Sequence, residues 1–472
     1  MSHAQKFSLA ALVTVFIVIF TAACGNGGNN ASDAGAGSSE PGNVTASPSD
    51  SPSADSAGAS KGPIKVTFWH SMGGDLQKVV DQMVQDFNSS HPDIQVEAVY
   101  QGSYDESLNK LKATMGSKDG PSIVQVYEIG TRFMIDSKAI TPVQDFVDRE
   151  NYDLTQLEPN ITGYYSIGGR LYSMPFNTSN PILYYNKDVF KQAGLDPEKP
   201  PRTYDEVAQA AEKISKSTKV KGASFAIYGW FMEQFFANQG VDYVNNGNGR
   251  EAPATASNVA DEAGVKMLTW WKSMLDSGAA INLGRNTADT KKAFIAGQIG
   301  MTLDSTAALR SIVDGAQGKF EVGTAFLPKP ADAKEGGVVV GGASLWILNN
   351  RPAEEQKAAW EFIKFLASPK EQGIWSDNSG YFPITKAAYD EQVVKDNLQK
   401  FPQFQTAIDQ LHQTKLSTAT QGAVMGVFPE ARQIVEGAIE SVVNNQKTPK
   451  QALDDAAKEI TGKIQTYNST VK

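Results

Sequence analysis

A chain of 472 residues with 41% hydrophobic side chains is long enough for more than one domain and has ample material for a core. Its 43 basic residues are dispersed among 52 acidic ones for a formal net charge of −9, which argues against a nucleic-acid partner. Cys24 is the only cysteine, so no disulfide forms within the chain and stability rests on burial.

In chain order, Lys6 leads into an apolar run at residues 7–22, broken only by Ser8, Thr14 and Thr21. The run is short for a membrane span and ends in small residues, the pattern of a secretory h-region. Thr21-Ala22-Ala23-Cys24 resembles a bacterial lipoprotein signal, which implies cleavage after residue 23 and a lipid on Cys24. Ordinary cleavage near Ala23 with an incidental thiol is the alternative. Residues 24–62 then read as that cysteine and a tether of Gly, Ser, Ala, Asn, Asp and Pro, with Val44 as the sole branched aliphatic. Such a segment cannot offset its ordering entropy by burial.

From Pro63 the pattern becomes regular. Ile64, Val66 and Phe68 alternate as a strand; Leu76, Val79, Val80, Met83 and Phe87 recur at helical spacing; Ile94, Val96, Ala98 and Tyr100 alternate again. Strand, helix, strand implies a parallel pair with a right-handed crossover. A helix carrying Leu108, Leu111 and Met115 and a strand at residues 122–127 extend this into an open α/β sheet. Ligands in such sheets sit beyond the carboxyl ends of strands, which points to Trp69, Tyr104 and Glu128. Later segments are helical. Thr203 to Glu206 fits a capping box ahead of Val207, Ala210 and Ile214. Ala359, Phe362, Ile363 and Leu366 form an apolar stripe, as do Leu453, Ala456, Ile460 and Ile464 after Thr448-Pro449.

Signals for catalysis or metal are weak. His3, His70, His91 and His412 lack a metal-ligand spacing, there is no Walker motif and no G-x-S-x-G elbow, and no cofactor is expected. Gly341-Gly342 lacks the spacing of a nucleotide fingerprint.

Several separated strings carry a likeness: Phe68-Trp69-His70-Ser71-Met72, Gln125-Val126-Tyr127-Glu128, and Pro175-Phe176-Asn177-Thr178-Ser179 through Leu183-Tyr184-Tyr185-Asn186-Lys187-Asp188. Gly341-Gly342-Ala343-Ser344-Leu345-Trp346 and Gly380-Tyr381-Phe382-Pro383-Ile384-Thr385-Lys386 add to it. Together they resemble the family 1 extracellular solute-binding proteins of ABC importers, and within that family the branch that binds glycerol 3-phosphate. The resemblance implies an α/β, two-lobed periplasmic-binding-protein-like fold of type II with three crossings between lobes, near Phe176, Gly341 and Tyr381. The expected lobes are residues 63–176 plus 343–380 and residues 177–342 plus 381–472. It implies a monomeric binding protein and not an enzyme, held outside the cytoplasm by its lipid alone and partnered by permease subunits.

The family's ligand contacts carry over to Tyr104, Glu128, Ser179, Trp230, Ser305, Gly342 through its backbone, Tyr381 and Arg432. Glu128 would accept from glycerol hydroxyls, and Arg432 would face a phosphate. The blander readings are boundary aromatics for Tyr104 and Tyr381, core for Trp230, a solvated loop for Glu128, and for Arg432 a pair with a neighbouring acid. Ile227 stands where enteric members of the family carry a second Trp. Its smaller side chain predicts space for a headgroup, so glycerophosphodiesters such as glycerophosphocholine join glycerol 3-phosphate as expected ligands. A neutral oligosaccharide is the alternative ligand. A two-carboxylate hydrolase and a receptor without transport are the alternatives in other classes.

Overall fold

The computed structural model describes residues 62–471 apart from Lys118 and Lys334. The signal, Cys24 and almost all of the tether lie outside the described residues. Strand Ile64–His70, helix Asp75–Ser90 and strand Ile94–Tyr100 form the expected unit, with the strands parallel in register from Ile64 opposite Ile94 to His70 opposite Tyr100. Helix Tyr104–Thr114 begins earlier than its apolar stripe, because Ser103 and Glu106 close a capping box; Met115 is its C-cap.

Strand Ile123–Tyr127 lies parallel to the first strand. On its other side sits strand Gly341–Leu348, antiparallel, which also pairs with Ile140–Thr141 and Met174–Ser179. A second sheet runs in the order Val322–Ala325, Pro181–Asn186, Ile299–Ser305, Lys221–Ser224. The chain thus leaves the first sheet after Ser179, returns to it at Gly341, and leaves again near Tyr381, where Phe382 bridges to Thr178. Helix Gln403–Gln413 then packs on the second sheet, with Gln410 Oε1 accepting from the Leu327 amide at 2.6 Å. These are two α/β lobes joined by three crossings.

Buried apolar side chains fill both lobes, and one cluster is continuous between them. In the first, Phe362 meets Phe68 and Phe87 at ring distances of 5.7 and 5.0 Å, and all four residues of the stripe Ala359, Phe362, Ile363 and Leu366 are buried. In the second, Tyr204 stacks on Trp270 at 4.2 Å, and the stripes Val207, Ala210, Ile214 and Leu453, Ala456, Ile460, Ile464 are buried. Full burial of each Val, Leu, Ile or Phe among these is worth about 1.5–3 kcal/mol.

Arg250 ties the lobes together. Its guanidinium donates to the carbonyls of Gly163 and Tyr164 at 3.2 and 3.1 Å, and to those of Gly422 at 2.6 Å and of Gln421. Backbone oxygens stand in for the carboxylate that a buried cation ordinarily needs, and burial pulls its pKa down to about 10. Among the described residues no helix is long and apolar enough to cross a membrane, and no cluster of His, Cys, Asp and Glu has the makings of a metal site.

Candidate functional site

Glu128 opens a short 3-10 helix directly after strand Ile123–Tyr127, so it projects from the carboxyl end of a parallel strand of the first lobe. Arg432 comes from helix Phe428–Val443, whose Pro429 sits in the first turn. Its Nη2 donates to Glu128 Oε1 at 2.6 Å. The same guanidinium holds Glu233 in a two-pronged pair, Nε to Oε1 at 2.7 Å and Nη2 to Oε2 at 2.9 Å. All three side chains are at most 8% exposed. Nη1 donates to nothing among the described residues.

This triad carries one more acid than base. Burial pushes the Glu233 carboxyl up to about 7 against the pull of Arg432, while Glu233 and Glu128 hold the guanidinium well above its ordinary value despite burial. Gly229 makes the approach possible, since a Cβ there would overlap Arg432 Cγ. The Tyr228 ring lies 5.7 Å from the guanidinium carbon.

Aromatic walls surround the charges. Tyr104 stacks on Tyr127 at 5.4 Å, and its hydroxyl accepts from Asn177 Nδ2 at 2.7 Å. Tyr381 stacks on Trp375 at 5.6 Å. Trp230 lies flat enough against Gly341 that a Cβ there would overlap the indole ring. Gly342 has φ +98°, and a Cβ would run into the Asn177 carbonyl, so only glycine fits this crossing. Ser305 closes the second sheet's strand, its Oγ accepting from the Ala307 amide at 3.1 Å, while Ser179 lies opposite Gly341.

All eight residues singled out from the sequence line one cavity of about 410 Å³: Tyr104, Glu128, Ser179, Trp230, Ser305, Gly342, Tyr381 and Arg432. The bland alternative for Arg432 also holds, because it pairs with acids while facing the cavity. One expectation fails. Trp69 is partly buried against the core and does not reach the cavity, since its strand lies farther from the return strand than Ile123–Tyr127 does. Ile227 is 1% exposed within the core and is not part of the wall; Tyr228, one residue on, is the aromatic that faces in.

Tyr127, Tyr228, Arg285, Asn286, Thr287, Asp304 and Ala307 complete the wall. Arg285 is engaged by Glu440 at 2.6 Å and Glu436 at 3.5 Å. Asp304 is buried, which pushes its carboxyl up to about 6 against the Ser305 amide and Lys291. Glu233, behind the wall, left a legible mark: a lone acid in Trp230-Phe231-Met232-Glu233-Gln234-Phe235-Phe236, a helix buried throughout, must have a cationic partner. The others left none. Chemically the cavity offers a guanidinium, hydroxyl donors, a carboxylate acceptor and flat apolar faces. That is equipment for holding a small polar molecule.

The family model for bacterial extracellular solute-binding proteins matches residues 82–403. The sn-glycerol-3-phosphate-binding periplasmic protein UgpB of Escherichia coli K12 is 37% identical over 414 residues, covering 86% of this chain and 94% of the relative. Among solved structures, UgpB from Mycobacterium tuberculosis in complex with glycerophosphocholine superposes with TM-score 0.73 at 23% identity over 86% of this chain and 99% of that one. The cyclic α-maltosyl-1,6-maltose binding protein from Arthrobacter globiformis gives TM-score 0.71 at 23% identity, over 86% and 100%. A cleft of this build, a family match over most of the body and a relative at 37% identity converge: the chain belongs to the bacterial extracellular solute-binding proteins.

Proposed function

We propose that this protein is the extracytoplasmic binding component of an ABC importer, which captures glycerol 3-phosphate or a glycerophosphodiester between its lobes and hands it to permease subunits. The observation that carries this reading is the convergence of the eight residues on one cavity, with a guanidinium from one lobe facing a carboxylate from the other. The names of the relatives, one for sn-glycerol 3-phosphate and one solved with glycerophosphocholine, point the same way. Arg432 Nη1, with the Ser179 and Ser305 hydroxyls, supplies donors for phosphate oxygens; Glu128 accepts from glycerol hydroxyls; Tyr104, Tyr381 and Trp230 wall the carbon chain.

Residues 63–176 plus 343–380 and residues 177–342 plus 381–472 act as the two lobes. Contacts drawn from both stabilise the closed form preferentially, so the protein works as a monomeric trap and converts nothing. The aromatic wall also suits a sugar, the second reading favoured by the maltosyl-maltose-binding neighbour. Calorimetry on the purified protein with glycerol 3-phosphate, glycerophosphocholine and maltose separates the two. The phosphates are expected to bind and maltose to be rejected; maltose binding that exceeds both would sink the phosphate reading.

The membrane attachment belongs to Cys24. Replacing Cys24→Ala is expected to release the protein from membranes, and a fatty-acid analogue is expected to label the wild type and not the variant. The several chains of a lipoprotein cysteine matter here, since a single acyl chain binds only marginally. An unlabelled wild-type protein would remove the anchor.

A further inference from the structure

Asp304 is a buried carboxylate with an unanswered charge. It is the penultimate residue of strand Ile299–Ser305, 6% exposed, and part of the cavity wall. Its Oδ1 accepts from the Ser305 amide at 2.7 Å; its Oδ2 accepts from no described residue. Lys291, the cation whose charge reaches it, forms no ion pair with it. The amide bond does not account for the charge, since a neutral Asn would accept from Ser305 equally well. A carboxylate buried without a counter-ion is costly, so one facing a ligand cavity calls for a cation on the ligand.

The remaining charges narrow the ligand further. Arg432 is shared between Glu233 and Glu128, and Arg285 between Glu440 and Glu436. With Asp304 added, five carboxylates face two guanidinium groups in and around the wall. A phosphate monoester with two negative charges enters an unfavourable field, and like-charge juxtaposition rejects ligands as firmly as good contacts select them. A phosphodiester carries a single negative charge, and an ammonium on its alcohol makes the whole ligand neutral.

We infer that Asp304 is the counter-ion of a ligand ammonium, so that the preferred ligands are glycerophosphodiesters with a cationic headgroup, such as the choline and ethanolamine esters. This rests on the organophosphate reading above. The test titrates the full-length wild type and Asp304→Asn with glycerophosphocholine, glycerophosphoethanolamine, glycerophosphoglycerol and glycerol 3-phosphate. In the wild type, the two cationic diesters should bind about tenfold or more tighter than glycerophosphoglycerol, a diester with an uncharged headgroup. In Asp304→Asn that ratio should collapse toward unity, and glycerol 3-phosphate should bind more tightly than before as a like charge is removed. A wild-type ratio near unity overturns the inference whether or not the variant folds, and so does a ratio that survives in a folded variant. A wild type that binds none of the four phosphates overturns the organophosphate reading itself, a result distinct from either.

Discussion

Arg432→Ala is expected to cost about 3–5 kcal/mol of stability and to abolish measurable capture of a phosphate ligand. The loss follows from what stays behind. Removing the guanidinium leaves Glu128 and Glu233 buried, both within 2.9 Å of the same deleted group and without another cation. Breaking such a pair from one side strands the other charge in a poor solvent, which is worse than never having built it. The pH dependence provides the signature. Without Arg432, the attraction that restrains the Glu233 carboxyl is gone while its burial remains, so its folded-state pKa rises above the wild type's value of about 7 and the folded variant binds more protons than its unfolded chain. Its stability therefore falls as pH rises through that value and recovers as pH drops, and the deficit against wild type should shrink between about pH 9 and about pH 7, where wild-type Glu233 itself takes up its proton. Glu128→Gln keeps the two-pronged Glu233 pair and should cost much less. Chemical denaturation of the three proteins across that range is the measurement. A deficit for Arg432→Ala under about 1 kcal/mol would mean that the triad is solvated rather than buried.

Gly342→Ala should be nearly as damaging for a different reason. The residue has φ +98°, a conformation costing about 1–2 kcal/mol for an L side chain. Its Cβ would also overlap the carbonyl oxygen of Asn177. Asn177 cannot give way freely: its Oδ1 accepts from Gln125 Nε2 at 2.6 Å and its Nδ2 donates to Tyr104. Relief has to come from parting the strands Met174–Ser179 and Gly341–Leu348, which are two of the three crossings and carry Ser179 and Gly342 to the cavity. A loss of about 3 kcal/mol or more, with ligand affinity falling in parallel, is the expected result. Gly168→Ala is the control, since Gly168 also has positive φ but open space around it. Equal midpoints for the two variants would show that the crossing has slack.

The elements legible in the sequence are those whose cause is local. The alternation from Ile64 to Phe68, the stripe through Phe362 and Leu366, the box at Thr203 and the cap at Thr448 depend on residues within one or two turns, and each formed where its pattern lay. The positions of the cavity residues were legible by another route, the likeness of short strings to the solute-binding family. Periodicity alone would have offered Trp69, which does not line the cavity.

What only the tertiary structure decided is how charges far apart in the chain are shared. Glu233 and Arg432 lie 199 residues apart, and Glu128 and Arg432 lie 304 apart, so no local pattern couples them. The sequence by itself determined that this is a two-lobed binding protein, because apolar spacing sets the elements and the strings set the family. That Arg432 stands between two acids, and that Asp304 pairs with no cation among the described residues, follows from how the helices and strands that carry these groups pack together. Burial at the seam between two separately coded lobes is a property of their packing, and neither lobe's own sequence contains it.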